Sequence, residues 1–246
     1  MTTSDQIPKE NAALWFLGQA GYYMKSGETT ILIDPYLSDS VGKDAPEFTR
    51  TYPVPIQPSA IKADIFIVTH DHLDHLDPET ITPYPHKETT TFVAPRHAAK
   101  HLVKLGVPTK NITIIDQGDS KTIKDVKIEG IFALTTAINT LDTTGYKITF
   151  ANGKTVCHTS DTSYCDFLLK AYPETDVLLT CINGKFGNLN VAEAVKLTQA
   201  VNPKYVIPNH YDVMALNSEN PESFRYFVKD SNAKCVILSV LEKFVW

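Results

Sequence analysis

The chain is poor in the features that would commit it to a special environment. Its 246 residues contain four cysteines, Cys157, Cys165, Cys181 and Cys235, at wide spacings and without a CxxC pair. A disulfide framework and a CxxC redox or zinc motif are thereby excluded, and the thiols read as reduced, small core residues. The 23 basic residues form no cluster of five or more, and the formal charge is −5 with a pI near 5.9. The electrostatic footprint of a nucleic-acid binder is missing, so no nucleic-acid partner is expected. No apolar run approaches the ~18 residues of a membrane span, and "MTTSDQIPKENAALWFLGQAG" lacks a basic region followed by a long apolar one. The expectation is a cytoplasmic protein with no membrane partner. GxSxG does not occur, which argues against an acyl-enzyme built on a serine elbow.

What remains is an ordinary globular composition, 43% hydrophobic and 21% charged, with ample material for a core. Apolar runs of strand length recur between turn signals: "ALWFLG", "YYMKS", "TTILID", "DIFIVT", "TTFVAP", "NITIID", "VKIEGIFAL", "YKITF", "KTVCHTS", "DVLLTC", "YVIPN" and "KCVILSV". Asn152-Gly153 between two such runs predicts a hairpin with a type I′ turn, whose central residues both need positive φ. Helical spacing appears in "PETITPY", "RHAAKHLVKLG", "TSYCDFLLKAYP", "NVAEAVKLTQAVN" and "NPESFRYFVKD". With no linker or repeat, the reading is one domain over residues 1–246, layered α/β or α+β.

The sequence is most informative at "THDHLDHLDP", residues 69–78, directly after "DIFIVT". That run has the continuous apolar character of a strand buried on both faces, and polar groups at its C-terminal end would emerge where ligands collect. His70, His72, Asp74 and His75 form HxHxDH. Imidazole nitrogen and carboxylate oxygen are donors that zinc and neighbouring transition metals accept, and one loop can turn several onto a small region. One or two divalent ions are within reach of such a cluster.

"THDHLDHLD" resembles the first metal motif of the metallo-β-lactamase superfamily. "WFLGQAGYYMKSGETTILIDPYLSDS", "HTSDTS" and "NGKFGNLNVAEAVKLTQAVNPKYVIPNHYDVMALNSENPESF" narrow the resemblance to its UlaG-like branch, over roughly residues 14 to 228. The resemblance implies an αββα sandwich, two packed β-sheets flanked by helices. It also implies His70 and His72 as ligands of a first metal, Asp74 and His75 as ligands of a second, Asp161 as the bridging carboxylate and His210 as the last ligand. Ser160 stands where the bridging turn usually has glycine. The third histidine usual at the first metal is missing from "FALTTAINTLDTTGY", where Asn139 occupies about the aligned place. An amide is a poorer zinc ligand than imidazole, so the first site is expected to bind weakly, to take a harder ion such as Mn2+ instead of Zn2+, or to stay empty.

By the same resemblance the chain is a hydrolase of a small anionic, phosphorylated ester or lactone. A bound cation lowers the pKa of a coordinated water from 15.7 to about 7 and polarises the group under attack. Asp74 is assigned the catalytic role of orienting the water and passing its proton. Arg50, Lys185 and Tyr211 are candidates for holding the anionic substrate. Gly18 and Gly21 are read as serving a tight turn, and His86, His97 and His101 as solvated; His158, three residues before Asp161, takes the same bland reading, with orienting a ligand through its other ring nitrogen as the alternative. The alternatives are a phosphodiesterase of the same fold and a catalytically weakened binding or sensing protein. Oligomeric state is left open, a homo-oligomer included.

Overall fold

A computed structural model describes residues 6–136 and 140–246. The first sheet takes β1 (Ala13–Gly18), β2 (Gly21–Ser26), β3 (Thr29–Ile33), β4 (Ile65–Ile67), β5 (Thr91–Ala94) and β6 (Ile112–Ile114). The second takes β7 (Ser120–Ile123), β8 (Val126–Ile131), β9 (Gly145–Thr149), β10 (Thr155–His158), β11 (Val177–Cys181), β12 (Tyr205–Asn209) and β13 (Lys234–Cys235). β14 (Lys243–Val245) returns to the first sheet beside β1. The strand orders are β14-β1-β2-β3-β4-β5-β6 and β13-β12-β11-β10-β9-β8-β7.

Period-two alternation decides how the layers stack. Ile31, Ile33, Ile65 and Ile67 join Val177 and Leu179 of the other sheet in one core. Leu32 and Phe66, their neighbours in sequence, face the opposite side. There they meet Ala98 and Leu102 of α3 (Arg96–Lys104), the helix that follows α1 (Ser40–Asp44) and α2 (Pro78–Ile81). On the outer face of the second sheet, Leu178 and Cys181 pack with residues of α4 (Leu168–Ala171), α5 (Val191–Val201) and α6 (Pro221–Val228). Each buried Leu, Ile or Val contributes about 1.5–3 kcal/mol, so a strand with both faces apolar favours a four-layer αββα arrangement over an exposed sheet. No helix among the described residues is long and apolar enough to cross a membrane.

Several sequence expectations are modified. β7 and β14 were not anticipated: β7 is largely exposed and lacks the apolar run that marks a strand. "KCVILSV" yields the two-residue β13, and "TSYCDFLLKAYP" yields the four-residue α4. The β9–β10 hairpin forms, but only Gly153 has positive φ (81°). Phe150 N donates to Lys154 O and Gly153 N to Phe150 O, both at 2.9 Å. That is a three-residue loop ending in a left-handed glycine in place of a type I′ turn. Cys157 and Cys181 are buried as expected, and burial pushes both thiols up to about 12.

β3 and β4 run parallel, as do β10, β11 and β12. The residues after β3, β4, β10 and β12 are Asp34, the Thr69–His75 loop, Asp161 and His210, and they gather at the C-terminal ends of these strands.

Candidate metal centre

The loop after β4 is tied to the end of β3 by Asp34, which is fully buried. Its Oδ1 accepts from Thr69 N at 2.8 Å, and its Oδ2 accepts from Thr69 Oγ1 at 2.6 Å and lies 2.8 Å from His75 Nδ1. The last contact places a ring proton on Nδ1 and turns Nε2 into the pocket, the carboxylate–histidine arrangement that orients metal ligands. His70 is fixed similarly: its Nδ1 lies 3.0 Å from Thr69 Oγ1, which turns Nε2 to 3.0 Å from His72 Nδ1. His72 Nε2 is 2.6 Å from Thr140 Oγ1.

Asp161 follows the turn at Ser160, whose φ of 60° explains why glycine is favoured there. Ser160 is held by its hydroxyl contact with Thr143 Oγ1 at 2.9 Å and by its N–H, which donates to His158 Nδ1 at 3.0 Å. His158 Nε2 is 2.9 Å from Ala20 O. His158 therefore braces the two turns beside the ligand residues and touches no ligand ring by these bonds; burial holds its pKa down. Asn188 Nδ2 donates to Asp161 Oδ2 at 2.8 Å. Asp161 Oδ1 stands 3.4 Å from His75 Nε2 and 2.7 Å from His210 Nε2.

The β1–β2 turn completes the pocket through Gln19. Its carbonyl accepts from His210 N at 2.8 Å, its Nε2 donates to Asp74 Oδ2 at 2.8 Å, and the same nitrogen is 3.2 Å from His210 Nδ1. Gly18 lies at φ +96°, and a Cβ there would sit 2.5 Å from Tyr52 Oη; one on Gly21 would sit 2.9 Å from Asp34 O. The glycines serve the tight turn, as expected. Gln19, Asp34, Ser160 and His210 all have left-handed backbone conformations, with φ between 43° and 60°. Such strain costs about 1–3 kcal/mol per residue and clusters where side chains must be aimed.

All six predicted ligand residues are thus brought together. His70, His75, Asp161 and His210 are buried, whereas His72 and Asp74 are partly exposed. Burial opposes charge on His75, but Asp161, Asp74 and Asp34 outweigh it and raise its pKa well above the ordinary value. For Asp161 burial again opposes charge, and the His210 and His75 rings outweigh it, holding the carboxyl well below its usual range. Burial first, then the charge of His75, lowers His70 well below the ordinary imidazole value.

The arrangement fits a cation. Asp161 Oδ1, His75 Nε2 and His210 Nε2 are buried and turned on one another, and none makes a hydrogen bond of good geometry to any other group, an arrangement that normally costs free energy. Donor atoms of His70, His75 and Asp161 lie within 4.8 Å of one another, and so do those of Asp74, His75 and His210. Ligands held at 2.0–2.2 Å around one ion stand about 3.0–3.5 Å apart, close to the separations given above. A surface cleft of about 1020 Å3, lined by Lys9, Lys25, Glu28, Asp125 and Asn152 among others, lies at the opposite ends of β2 and β10. It contains none of these donors.

The family model for the beta-lactamase superfamily domain matches residues 13–210. The chain belongs to this superfamily. A relative from Escherichia fergusonii named "Probable L-ascorbate-6-phosphate lactonase UlaG" is 24% identical, the match covering 90% of this chain and 75% of the relative. Among solved structures, a metallo hydrolase from the archaeon Ignicoccus hospitalis superposes with a TM-score of 0.77 at 19% identity, covering 96% of this chain and 98% of that one. The isothiocyanate hydrolase from Delia radicum gut bacteria gives 0.74 at 16% identity, covering 94% and 98%. CmlA, a diiron β-hydroxylase from Streptomyces venezuelae, gives 0.70 at 15% identity, covering 98% of this chain and 55% of that one. The superfamily placement gives this chain the metallo-β-lactamase fold, and the structure adds His/Asp clusters whose donor atoms are close enough to share a metal ion.

The substrate candidates separate. Arg50 sends Nη1 to Tyr36 O (3.0 Å) and Ser38 O (3.3 Å) and lies over the Tyr36 and Tyr52 rings. Its Nη2 is buried without a partner, and its backbone bridges to Met214 in the loop after His210. Lys185 Nζ donates to Ser218 O at 2.7 Å from the loop that carries Asn188. Tyr211 has no free group to offer: its ring stacks on Phe16, and its hydroxyl donates to Leu238 O and accepts from Leu238 N. Asn139 lies outside the described residues. His86 stays in its polar loop beside Tyr84. His97 and His101 do not point simply to solvent; both approach Asp71.

Asp34, Gln19, Thr69 and Asn188 were not singled out from the sequence as functional. Asp34 carried a usable signal, because "TILIDP" places an aspartate at a strand end just as "VTH" does a histidine. Gln19 is flanked by the turn "LGQAG", and nothing local marks Asn188.

Proposed function

We propose that this protein is a divalent-metal-dependent hydrolase that opens a small anionic, phosphorylated ester or lactone by attack of water. The single observation that carries the reading is the convergence on one pocket of His70, His72, Asp74, His75, Asp161 and His210, with the buried donor atoms of His75, Asp161 and His210 turned on one another. His70 and His72, with Asp161, would hold one ion; Asp74, His75 and His210, sharing Asp161, would hold a second. Zn2+ and Mn2+ both suit this donor set, Mn2+ the more where imidazole is fewer. A bound cation supplies an acidified water and a polarised carbonyl or phosphoryl oxygen.

The remaining chemistry falls to the chain. Asp74, oriented by Gln19 and held ionised against the cost of burial chiefly by the His75 and His210 rings, would take the water's proton and return it to the leaving oxygen. Asp34 fixes His75, and Asn188 fixes Asp161, so that the pocket needs little rearrangement when charge develops on the substrate. Arg50, through its unpaired Nη2, and Lys185, through the N–H groups not used by Ser218, border the loops of His210 and Asp161 and suit an anionic group. The likeness to the UlaG relative supports a sugar lactone as the first substrate to try. The test is a panel of phosphorylated sugar lactones, esters and phosphodiesters turned over with Zn2+ and with Mn2+. Turnover abolished by EDTA and by Asp74→Asn is expected; a metal-loaded protein inert to every class would refute the proposal.

A further inference from the structure

The metal-motif loop contains Asp71, and α3 carries His97 and His101 four residues apart. Helical spacing puts the two rings on one face, edge to face with centroids 4.9 Å apart. His97 Nε2 is 3.3 Å and His101 Nδ1 3.5 Å from the same Asp71 Oδ2. Charge-assisted N–H···O hydrogen bonds measure about 2.7–2.9 Å, so both contacts are long for ion pairs. They match the edge of about 3.0–3.5 Å between ligands of one small cation. A second observation points to a ligand. The Asp71 side chain is only 9% exposed, and its Oδ1 is buried with no hydrogen-bond partner. Asp142 adds another: one oxygen accepts from His97 N, while Oδ1 is buried and unpaired.

We propose that Asp71, His97 and His101 form a second transition-metal site, separate from the His70–His210 centre, with Asp142 as a further carboxylate at its border. Two imidazoles and a carboxylate suit Zn2+ and its neighbours and suit Mg2+ or Ca2+ poorly. The site joins three segments: α3, the loop bearing His70 and His72, and the residues around Thr140, whose hydroxyl touches His72 Nε2. Its role is a clamp on the loop that presents the first ligands. The inference does not depend on the hydrolase reading, because Zn2+ binding here is measured without any substrate.

Metal-free full-length protein would be titrated with Zn2+ against a chromophoric chelator, and melting would be followed with and without the ion. The His97→Ala/His101→Ala protein is expected to bind one equivalent fewer than the native chain, and its metal-free melting temperature to stay near the native value, since both rings are partly exposed. The Asp161→Ala/His210→Ala protein should keep one tight equivalent that the four-fold variant lacks. Equal Zn2+ stoichiometry and affinity in the native chain and in His97→Ala/His101→Ala would overturn the proposal. Should Asp161→Ala/His210→Ala fail to fold, that comparison decides alone. An inactive protein that still loses one equivalent in His97→Ala/His101→Ala would count against the hydrolase and for this site.

Discussion

Replacing Asp34 by asparagine tests whether the pocket is oriented from behind. The carboxylate receives Thr69 N on one oxygen and Thr69 Oγ1 with His75 Nδ1 on the other. Asparagine keeps the shape but offers one acceptor oxygen and one NH2. With the oxygen toward His75, the NH2 confronts the Thr69 backbone N–H; turned round, it confronts the ring N–H of His75. Either orientation leaves a buried donor facing a donor, at a cost of about 1–3 kcal/mol. In the second orientation His75 is driven to the tautomer with its proton on Nε2, the atom aimed at Asp161. Changes of this kind behind a metal-binding histidine typically weaken the metal 10–100-fold, about 1.4–2.7 kcal/mol. Asp34→Asn should therefore raise the Zn2+ dissociation constant by that factor in chelator competition. It should also lower the metal-free melting temperature by roughly 2–12 °C, at about 2–4 °C per kcal/mol for a chain of this size. Zn2+ affinity within twofold of native in a folded Asp34→Asn protein would refute the orienting role.

Two further expectations concern the frame. Gly18→Ala forces a Cβ to within 2.5 Å of Tyr52 Oη at a φ of +96°, and should cost about 1–3 kcal/mol in a denaturant titration; native stability would mean that the turn bearing Gln19 adapts freely. Asp64 ties Thr30 of β3 to Lys124 in the β7–β8 turn. Burial opposes its charge, but the Lys124 contact and the Thr30 hydrogen bonds prevail and lower its pKa. The folded value lies below the unfolded one, so the stability it adds is present above the ordinary carboxylate pKa and is lost as pH falls through the folded value. Asp64→Asn should then cost about 1 kcal/mol at pH 7, discounted for partial exposure, and almost nothing at pH 2; an equal loss at both would exclude an electrostatic origin.

How much of this was legible in the sequence depended on whether the signal was local. Ile31, Leu32 and Ile33, or Ile65, Phe66 and Ile67, are apolar on both faces because each side of the strand meets a different core. That is visible in a few consecutive letters. β7, "SKTI", is exposed and polar, and β14 is held by pairing with β1, so neither announces itself. HxHxDH is legible because four donors fall within six residues. Asp161 and His210 could be placed only through the family resemblance. Asn188 reaches Asp161 only because a loop from β11 folds back 27 residues to it. His97 and His101 stand four residues apart in a helical pattern, but no periodicity could show that Asp71 lies opposite them, and they read as solvated.

The same distinction explains the strained turns. Gln19, Asp34, Ser160 and His210 each occupy a left-handed conformation that their side chains disfavour, and glycine at any of them would relax the backbone. At Gln19, Asp34 and His210 glycine would also remove the side chain that the turn exists to aim. Ser160 differs, since its aim is borrowed: the strain there directs its neighbour Asp161, and the hydroxyl is left to hold Thr143. Ser160 is thus the one position of the four where glycine could serve, which accords with the family's usual residue at that turn. Strain retained at the other three, against the free energy of folding, is what a pocket selected for the direction of its donors would show.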